Sequence, residues 1–199
     1  MTKIEKMQAI TDEITARADS SLYAYRIENN YIPVIGEGSL NAKVFFIGEA
    51  PGKKEGETGK PFCGRSGKFL DEMLTSISLE RKNVYITSVV KDRPQDNRDP
   101  TQKEIDLYGP YLLRQLEIVK PKIIVLLGRI SMKYMFMSAG IENELDTIGE
   151  MHGKVYKGKL SYGEVIFLPL YHPAAALYNP KNKAVLMEDF KVVKKFIEK

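Results

Sequence analysis

The sequence is poor in the residues that usually hold metals and cross-links. It contains one cysteine, Cys63, and two histidines, His152 and His172. A single thiol excludes an internal disulfide, and it excludes an iron–sulfur cluster held by several cysteines of this chain. The two histidines do not stand at metal-ligand spacing, so we expect no metal site.

Long apolar runs are missing as well. No stretch approaches the roughly 20 apolar residues that a membrane helix needs, so we expect no membrane association. The N-terminal segment MTKIEKMQAITDEITARAD is charged and lacks the apolar core of a secretion signal, which favours a cytoplasmic protein. The net charge of +4 is compatible with a polyanionic partner but does not establish one, because 26 acidic residues are interspersed.

Short apolar runs alternate with segments of helical periodicity. This pattern predicts an α/β protein: a three-layer α/β/α sandwich with a central, mostly parallel, four-stranded sheet. We expect one domain over residues 1–199, with an N-terminal helix within residues 1–21 packed on it. The predicted strands are 43–48, 83–90, 122–128 and 165–168. The predicted helices are 3–18, 66–79, 101–119, 131–139 and 182–197, the third beginning with a Thr101–Glu104 capping box.

Turn-forming and polar residues follow each predicted strand. GEAPG (48–52) follows the first, KDRPQDNRDP (91–100) the second, GR the third and LYHPAAALYNP (170–180) the fourth. In open α/β sheets the ligand crevice lies outside the carboxyl ends of the strands. All four loops are therefore predicted to face one site.

Individual loop residues suggest chemistry, and each has a plainer alternative. The glycines and proline of GEAPG can turn backbone amides toward a ligand, although a simple turn would look the same; its spacing fails the phosphate-loop pattern. Phe62, between glycines, can stack on a flat base or simply fill the core. His172, fixed before a proline, can donate to a developing anion or be structural. His152 is predicted at the surface, and Ser66 as a helix cap.

Taken together, these segments resemble the uracil-DNA glycosylase superfamily, and its family 4 branch most closely. The resemblance runs from about Leu22 to the C-terminal region. It is carried by GEGSLNAKVFFIGEAPG, GKPFCGRSGKFLDEML, NVYITSVVKDRP, NRDPTQKEI, PYLLRQLEIVKPKIIVLLG and YHPAAALYNP. It implies a monofunctional glycosylase of base excision repair that flips a uracil nucleotide out of DNA and hydrolyses its N-glycosidic bond. We expect DNA containing uracil or another deaminated base as partner, and a monomer.

The resemblance also implies roles for residues of the site. His172 would hydrogen-bond uracil O2 and stabilise the leaving anion, and Asn97 would support the site. Glu49 is one candidate for positioning water; the alternative is catalysis by electrostatics and strain, in which the anionic base departs ahead of water attack. The implied base-binding residues are Gly48, Ala50, Phe62 and Ser88. The implied DNA-binding residues are Gly52, Lys91, Arg93, Ala174, Ala175, Leu177 and Tyr178.

The sequence departs from the family pattern at the positions of its cluster ligands. Family 4 members bind a four-iron, four-sulfur cluster through four cysteines, whose positions correspond here to Arg17, Ser20, Asp92 and Tyr108. One cysteine cannot supply four thiolates, so we expect no cluster and no other cofactor. Ordinary packing or an Asp92–Arg17 ion pair would take its place.

Base recognition and water activation depart from the pattern too. Ser88 replaces an asparagine that reads uracil O4 and N3–H, and the shorter hydroxyl cannot span both atoms. Hypoxanthine and xanthine are therefore alternative substrates. Ala50 stands where family 1 has an aspartate, which leaves the loop without an obvious general base, and Tyr178 replaces a common arginine. A damage-recognising DNA-binding protein with weak or altered catalysis is the alternative function.

Overall fold

The computed structural model describes residues 1–197, and its centre is a mixed β-sheet with helices on both faces. The strands are β1 (Glu37–Gly38), β2 (Val44–Gly48), β3 (Tyr85–Ser88), β4 (Ile123–Leu127), β5 (Tyr156–Leu160) and β6 (Gly163–Leu170). Across the sheet their order is β1-β3-β2-β4-β6-β5. The four inner strands run parallel, and the two edge strands, β1 and β5, run antiparallel to their neighbours.

The α/β sandwich and its four parallel strands are confirmed, but the predicted strand number is wrong, because residues 1–197 contribute six hydrogen-bonded strands to the sheet. Both missed strands lie at edges. β1 has only two residues, and β5 reads YKGKL, in which exposed lysines interrupt any apolar run. Lysines on an edge strand discourage pairing with another chain, and they also remove the apolar signal by which a strand is recognised.

The helices long enough to show periodicity are close to their predicted bounds. The short ones were missed, because four to six residues are too few to establish a period. The helices are α1 (Lys3–Thr15), α2 (Tyr23–Glu28), α3 (Lys53–Thr58), α4 (Arg65–Ser76), α5 (Gln102–Val119), α6 (Arg129–Ser138), α7 (Ile148–Met151), α8 (Ala175–Tyr178) and α9 (Pro180–Ile197). The capping box at Thr101 and Glu104 is confirmed. Ser66 is not a cap, since Gly64 holds that position.

The two faces of the sheet bury alternate residues of each inner strand. In β2, Phe46 packs toward α4 and α9 and stacks on Phe190, with 5.8 Å between ring centroids. Phe45 points the other way, toward α5 and α6, and stacks on Tyr85 at 5.0 Å. Helices on both faces explain why the inner strands read as continuous apolar runs.

The N-terminal helix packs on the outside of α5. Ile10 and Ile14 of α1 are fully buried there, in a small cluster with Tyr108 and Ile118 of α5. The extent of a single domain over residues 1–199 stays a prediction. Within residues 1–197 no helix combines the length and apolar character needed to cross a membrane.

The parallel strands end level with one another. Gly48, the last residue of β2, lies opposite Ser88, the last residue of β3. In the neighbouring pair of strands, Leu127, the last residue of β4, lies opposite Leu170, the last residue of β6. The loops that follow these four residues therefore leave the sheet at one edge.

Candidate active site

A cavity of about 780 Å³ opens at this edge of the sheet. Its walls come from the loops after β2, β3 and β6 and from the segment that leads into α4. The structure thus brings together most of the residues that the sequence assigned to the site. Those that line the cavity are Glu49, Ala50, Gly52, Phe62, Ser88, Asn97, His172, Ala174, Leu177 and Tyr178.

Phe62 lines the cavity, and its ring packs over Gly48. A Cβ atom on Gly48 would lie 2.7 Å from the Phe62 ring and 3.1 Å from Ser88 Oγ, so only glycine leaves space for the aromatic side chain. Phe62 has a positive φ of 47°, which is uncommon for a large residue. Its ring stacks against His172, with centroids 5.6 Å apart and planes inclined by 29°.

Glu55 holds the unusual backbone of the Phe62 loop, and sequence reasoning missed it. Its Oε1 accepts hydrogen bonds from the backbone N–H groups of Cys63 (2.9 Å) and Gly64 (2.8 Å). Glu55 lies on α3, the short helix that follows GEAPG, and its side chain also lines the cavity. Nothing in the pattern KKEGETG separates this carboxylate from its exposed neighbour Glu57.

His172 is presented to the cavity in a defined tautomer. Its Nδ1 accepts a hydrogen bond of 3.2 Å from the backbone N–H of Ala174, so the proton of the neutral ring is on Nε2. Burial lowers the pKa of His172 to about 4, although the Glu55 carboxylate acts in the opposite direction. At neutral pH the ring is therefore uncharged and still able to donate one hydrogen bond.

Glu49 follows β2, and its side chain reaches the N-terminal end of α6. Its Oε1 is 3.5 Å from the backbone N–H of Ile130, and a Cβ on Gly128 would come within 2.6 Å of the same oxygen. Burial raises the pKa of the Glu49 carboxyl; the Ile130 N–H and Arg129 oppose this shift, whereas Asp99 adds to it. A carboxylate with a raised pKa at a cavity wall can orient water and accept its proton.

Asn97 is held in place by Arg93 rather than by contacts across the cavity. Its Oδ1 accepts from Arg93 Nε at 3.0 Å, and its own φ is 54°. Arg93 in turn donates to the hydroxyls of Tyr25 (2.9 Å) and Tyr31 (2.7 Å). The N-terminal segment thereby helps to fix a residue of the site.

Two of the residues predicted to face DNA do not do so. Lys91 is fully buried and Arg93 is 8% exposed. Their side chains bond to protein atoms, Lys91 to Thr87, Ser88 and Gln115, and Arg93 to the residues above. The prediction that they contact phosphate is wrong, because a charge in KDRP does not reveal which way the loop turns. Exposed basic side chains do line the cavity. Lys53, Lys54, Arg65 and Lys68 are among them, and Arg98 also lines it while paired with Glu104.

The loop after His172 forms the short helix α8 at the cavity mouth. Leu177 and Tyr178 line the opening, and Tyr178 is 87% exposed. Ala174 also lines the cavity, whereas Ala175 turns its carbonyl toward Asn182. An exposed aromatic ring beside a concave site is suited to contact with a planar partner.

His152 lies away from the cavity and is not the surface residue predicted from the sequence. It is partly buried, its Nδ1 is 2.6 Å from Asp189 Oδ2, and its ring packs on Tyr171 at 4.5 Å. Its flanking residues, Met151 and Gly153, gave no sign of these partners: Tyr171 directly follows β6, and Asp189 lies on α9.

Comparison with known proteins agrees with this arrangement. Residues 35–197 match the Uracil DNA glycosylase superfamily. The chain belongs to this superfamily. It is 45% identical to the Type-4 uracil-DNA glycosylase of Sulfurisphaera tokodaii over 96% of this chain and 84% of that protein. It is 42% identical to the Type-4 enzyme of Archaeoglobus fulgidus, over 96% and 92%, and 33% identical to that of Thermotoga maritima, over 100% and 98%.

Three of the four positions that correspond to the family 4 cluster ligands, Ser20, Asp92 and Tyr108, form a buried polar network in this chain. The Tyr108 hydroxyl donates to Asp92 Oδ2 at 2.6 Å and lies 2.8 Å from Ser20 Oγ. Asp92 also pairs with Arg26 at 3.1 Å. The expected Asp92–Arg17 ion pair is wrong, because Arg17 pairs with Asp19 instead. Oxygen atoms that are hydrogen-bonded to one another cannot replace four thiolate ligands, so these residues do not fit an iron–sulfur cluster.

The same network joins the N-terminal helices to the loop after β3. Arg26 of α2 donates to the carbonyls of Ile14 (3.2 Å) and Thr15 (2.7 Å), which end α1. Burial raises the pKa of the Asp92 carboxyl, although the Tyr108 hydrogen bond and the Arg26 charge oppose the shift. Elsewhere in residues 1–197, no three His, Cys, Asp or Glu side chains are grouped so as to hold a metal ion.

The low pKa of His172 predicts a pH dependence of stability. Between the unfolded pKa of 6.5 and the folded value of about 4, the unfolded chain binds a proton that the folded protein excludes. The stability associated with neutral His172 is therefore complete above the unfolded pKa. It is lost as the pH falls toward the folded value, by on the order of 3 kcal/mol. Urea unfolding across this window should show a steeper loss in the wild type than in His172→Gln, and parallel curves would contradict it.

Proposed function

We propose that this protein excises uracil from DNA by hydrolysing the N-glycosidic bond, leaving an abasic site for base excision repair. The observation that carries the proposal is the pairing of Phe62 with a neutral His172 whose Nδ1 is already occupied by Ala174. An aromatic face and a single N–H donor meet in one cavity, as a flat base with a carbonyl oxygen requires. Superfamily membership and the names of the relatives support the same activity.

In the proposed reaction, the target nucleotide leaves the duplex and its base enters the cavity against Phe62. His172 Nε2–H donates to the base carbonyl beside N1. As the bond between C1′ and N1 breaks, its electron pair passes to the base, and the hydrogen bond strengthens on the forming anion. Water held by Glu49 then adds to the cationic sugar carbon, and its proton passes to the carboxylate and on to solvent.

The remaining residues position the base and the DNA. Ser88 Oγ lies beside the Gly48 turn, where it can bond to the far edge of the base. Asn97, Ala50 and Gly52 complete the cavity wall. Leu177 and Tyr178 fill the gap that the flipped nucleotide leaves. The phosphate backbone is bound by the exposed basic side chains at the rim, Lys53, Lys54, Arg65 and Lys68, in place of the two buried ones.

The same proposal includes a monomeric, cytoplasmic enzyme that works without an iron–sulfur cluster. The support for the last point is the network in which Ser20, Asp92, Tyr108 and Arg26 bond to one another. Monomeric state and location rest on the sequence alone. Light scattering of the purified protein and fractionation of cells test these two points.

Excision itself is tested with oligonucleotides that carry one uracil, hypoxanthine or xanthine, in single and double strands, followed by alkaline cleavage at abasic sites. We expect release of uracil. His172→Ala should slow it by about 10²–10³-fold in single turnover, because it removes the donor to the leaving anion. His152→Ala is the matched control and should keep the parent rate. Binding without cleavage on every substrate would instead indicate a damage-recognising protein.

Ser88 should set how strictly the base is chosen. Ser88→Asn supplies an amide that can both donate and accept across the edge of uracil, so the ratio of uracil to hypoxanthine release should rise, by roughly tenfold or more. Ser88→Ala is the control, since it removes the hydroxyl without adding an amide. An unchanged ratio in Ser88→Asn would show that this position does not read the base.

The absence of a cluster gives a separate test. Protein purified without oxygen should contain no stoichiometric iron or sulfide, and its activity should survive treatment with an oxidant. Tyr108→Phe should lower the free energy of unfolding by about 1.5–3 kcal/mol, because Asp92 and Ser20 lose a buried partner. Tyr111→Phe, on the same helix, should change stability little. Bound iron at stoichiometric levels would refute this part of the proposal.

A further inference from the structure

Lys91 is fully buried, and its amine is hydrogen-bonded to the main chain of Ser88, the residue proposed to read the base. Its Nζ makes hydrogen bonds to three acceptors: Ser88 O at 2.6 Å, Thr87 Oγ1 at 2.7 Å and Gln115 Oε1 at 2.7 Å. Its exposure is 0%. It follows Ser88, the end of β3, by three residues, so its side chain folds back beneath the strand end that lines the cavity.

The partners of Lys91 require the protonated amine. The Ser88 carbonyl can only accept a hydrogen bond. The Thr87 hydroxyl already donates its proton to Ile35 O at 2.6 Å, so it too can only accept from Lys91. The Gln115 amide nitrogen donates to Ile35 O at 2.8 Å, which turns its oxygen toward Lys91. Three acceptors need three N–H donors, and only an ammonium group has them. These bonds oppose the effect of burial, which lowers the pKa of Lys91 well below its ordinary value.

No acid among residues 1–197 forms an ion pair with Lys91. The three acceptors of its hydrogen bonds, Thr87, Ser88 and Gln115, are all neutral. Asp92, the next residue in the sequence, pairs with Arg26. A charge without a counter-ion in a region of low dielectric acts over a longer distance than one in water.

We propose that Lys91 is a positioning residue for base excision: it fixes Ser88 through its carbonyl, and its buried charge favours departure of the base as an anion. The proposal rests on the uracil excision proposed above. Lys91 donates its hydrogen bond to the main-chain carbonyl of Ser88 and not to the side chain that reads the base, so the lysine itself does not contact the base. Its charge acts through the strand end that carries the reading side chain, and it requires no proton transfer.

The leaving group provides a readout that a purely structural role would not move. Fluorine at C5 makes the departing base a more stable anion, so 5-fluorouracil depends less on a stabilising charge than uracil does. Single-turnover rates on oligonucleotides carrying either base are compared for the wild type, Lys91→Met and Gln115→Glu. The first variant removes the charge; the second keeps the lysine and places a carboxylate against it. Lys159→Met, which removes an exposed charge on β5, is the control.

We expect both test variants to slow uracil release by roughly tenfold or more and 5-fluorouracil release by clearly less, with the ratio unchanged in the control. Equal slowing of the two bases would overturn the electrostatic role and leave only packing. Variants are compared after their melting curves confirm folding. If Lys91→Met does not fold, Gln115→Glu decides the question.

A second measurement needs no variant. In protein labelled with ¹⁵N-lysine, the Lys91 Nζ signal should be that of an ammonium group at neutral pH, with slow solvent exchange. A neutral amine would overturn the proposal. A wild type that releases neither base would refute uracil excision itself, and the nitrogen signal would still show whether Lys91 carries its charge.

Discussion

The register of the four parallel strands is the constraint on which the site depends. Because Gly48 pairs with Ser88 and Leu127 with Leu170, the strands end together and their loops meet. A shift of one residue in β2 would exchange the faces of the sheet on which Phe45 and Phe46 lie, and each ring would lose the helices against which it packs. Packing of the core therefore fixes the register, and the register fixes which loop residues face one another.

Within that frame, the cavity depends on close contacts that admit no Cβ atom. Gly48 makes room for the Phe62 ring, and a Cβ on Gly67 would come within 1.7 Å of the Phe62 carbonyl oxygen. Phe62 has left-handed backbone geometry, a conformation that costs on the order of 1 kcal/mol for a residue with a side chain. Glu55 offsets this cost by accepting from the two amides that follow. The ring that would receive the base is thus held rigidly before any ligand arrives.

The sequence predicted what depends on periodicity and on chain order, and it missed what depends on the direction of side chains. The inner strands, the long helices and the cavity residues Glu49 and His172 follow from apolar runs and from the loops after them. Phe62 was singled out by its flanking glycines, and Ser88 by the resemblance to the family. Lys91 and Arg93 looked like phosphate contacts because they are basic and belong to a loop of the site. Their burial is set by partners distant in sequence, Gln115 for one and Tyr25 with Tyr31 for the other. No local pattern encodes such partners.

Lys91 and Asp92 are adjacent residues of opposite charge in the interior, and they differ in whether an ion pair compensates the charge. Asp92 faces the N-terminal helices and is compensated by Arg26 and Tyr108, an arrangement that ties α1 and α2 to the core. Lys91 faces α5, and its acceptors in the described part of the chain are all neutral. A paired buried charge can be replaced by apolar packing with little loss of stability. An unpaired buried charge lowers the stability of the fold, so a functional requirement is the reason to retain it. The difference marks Asp92 as part of the architecture and Lys91 as part of the chemistry, since its uncompensated charge lies directly beneath the strand end where a negative charge would form.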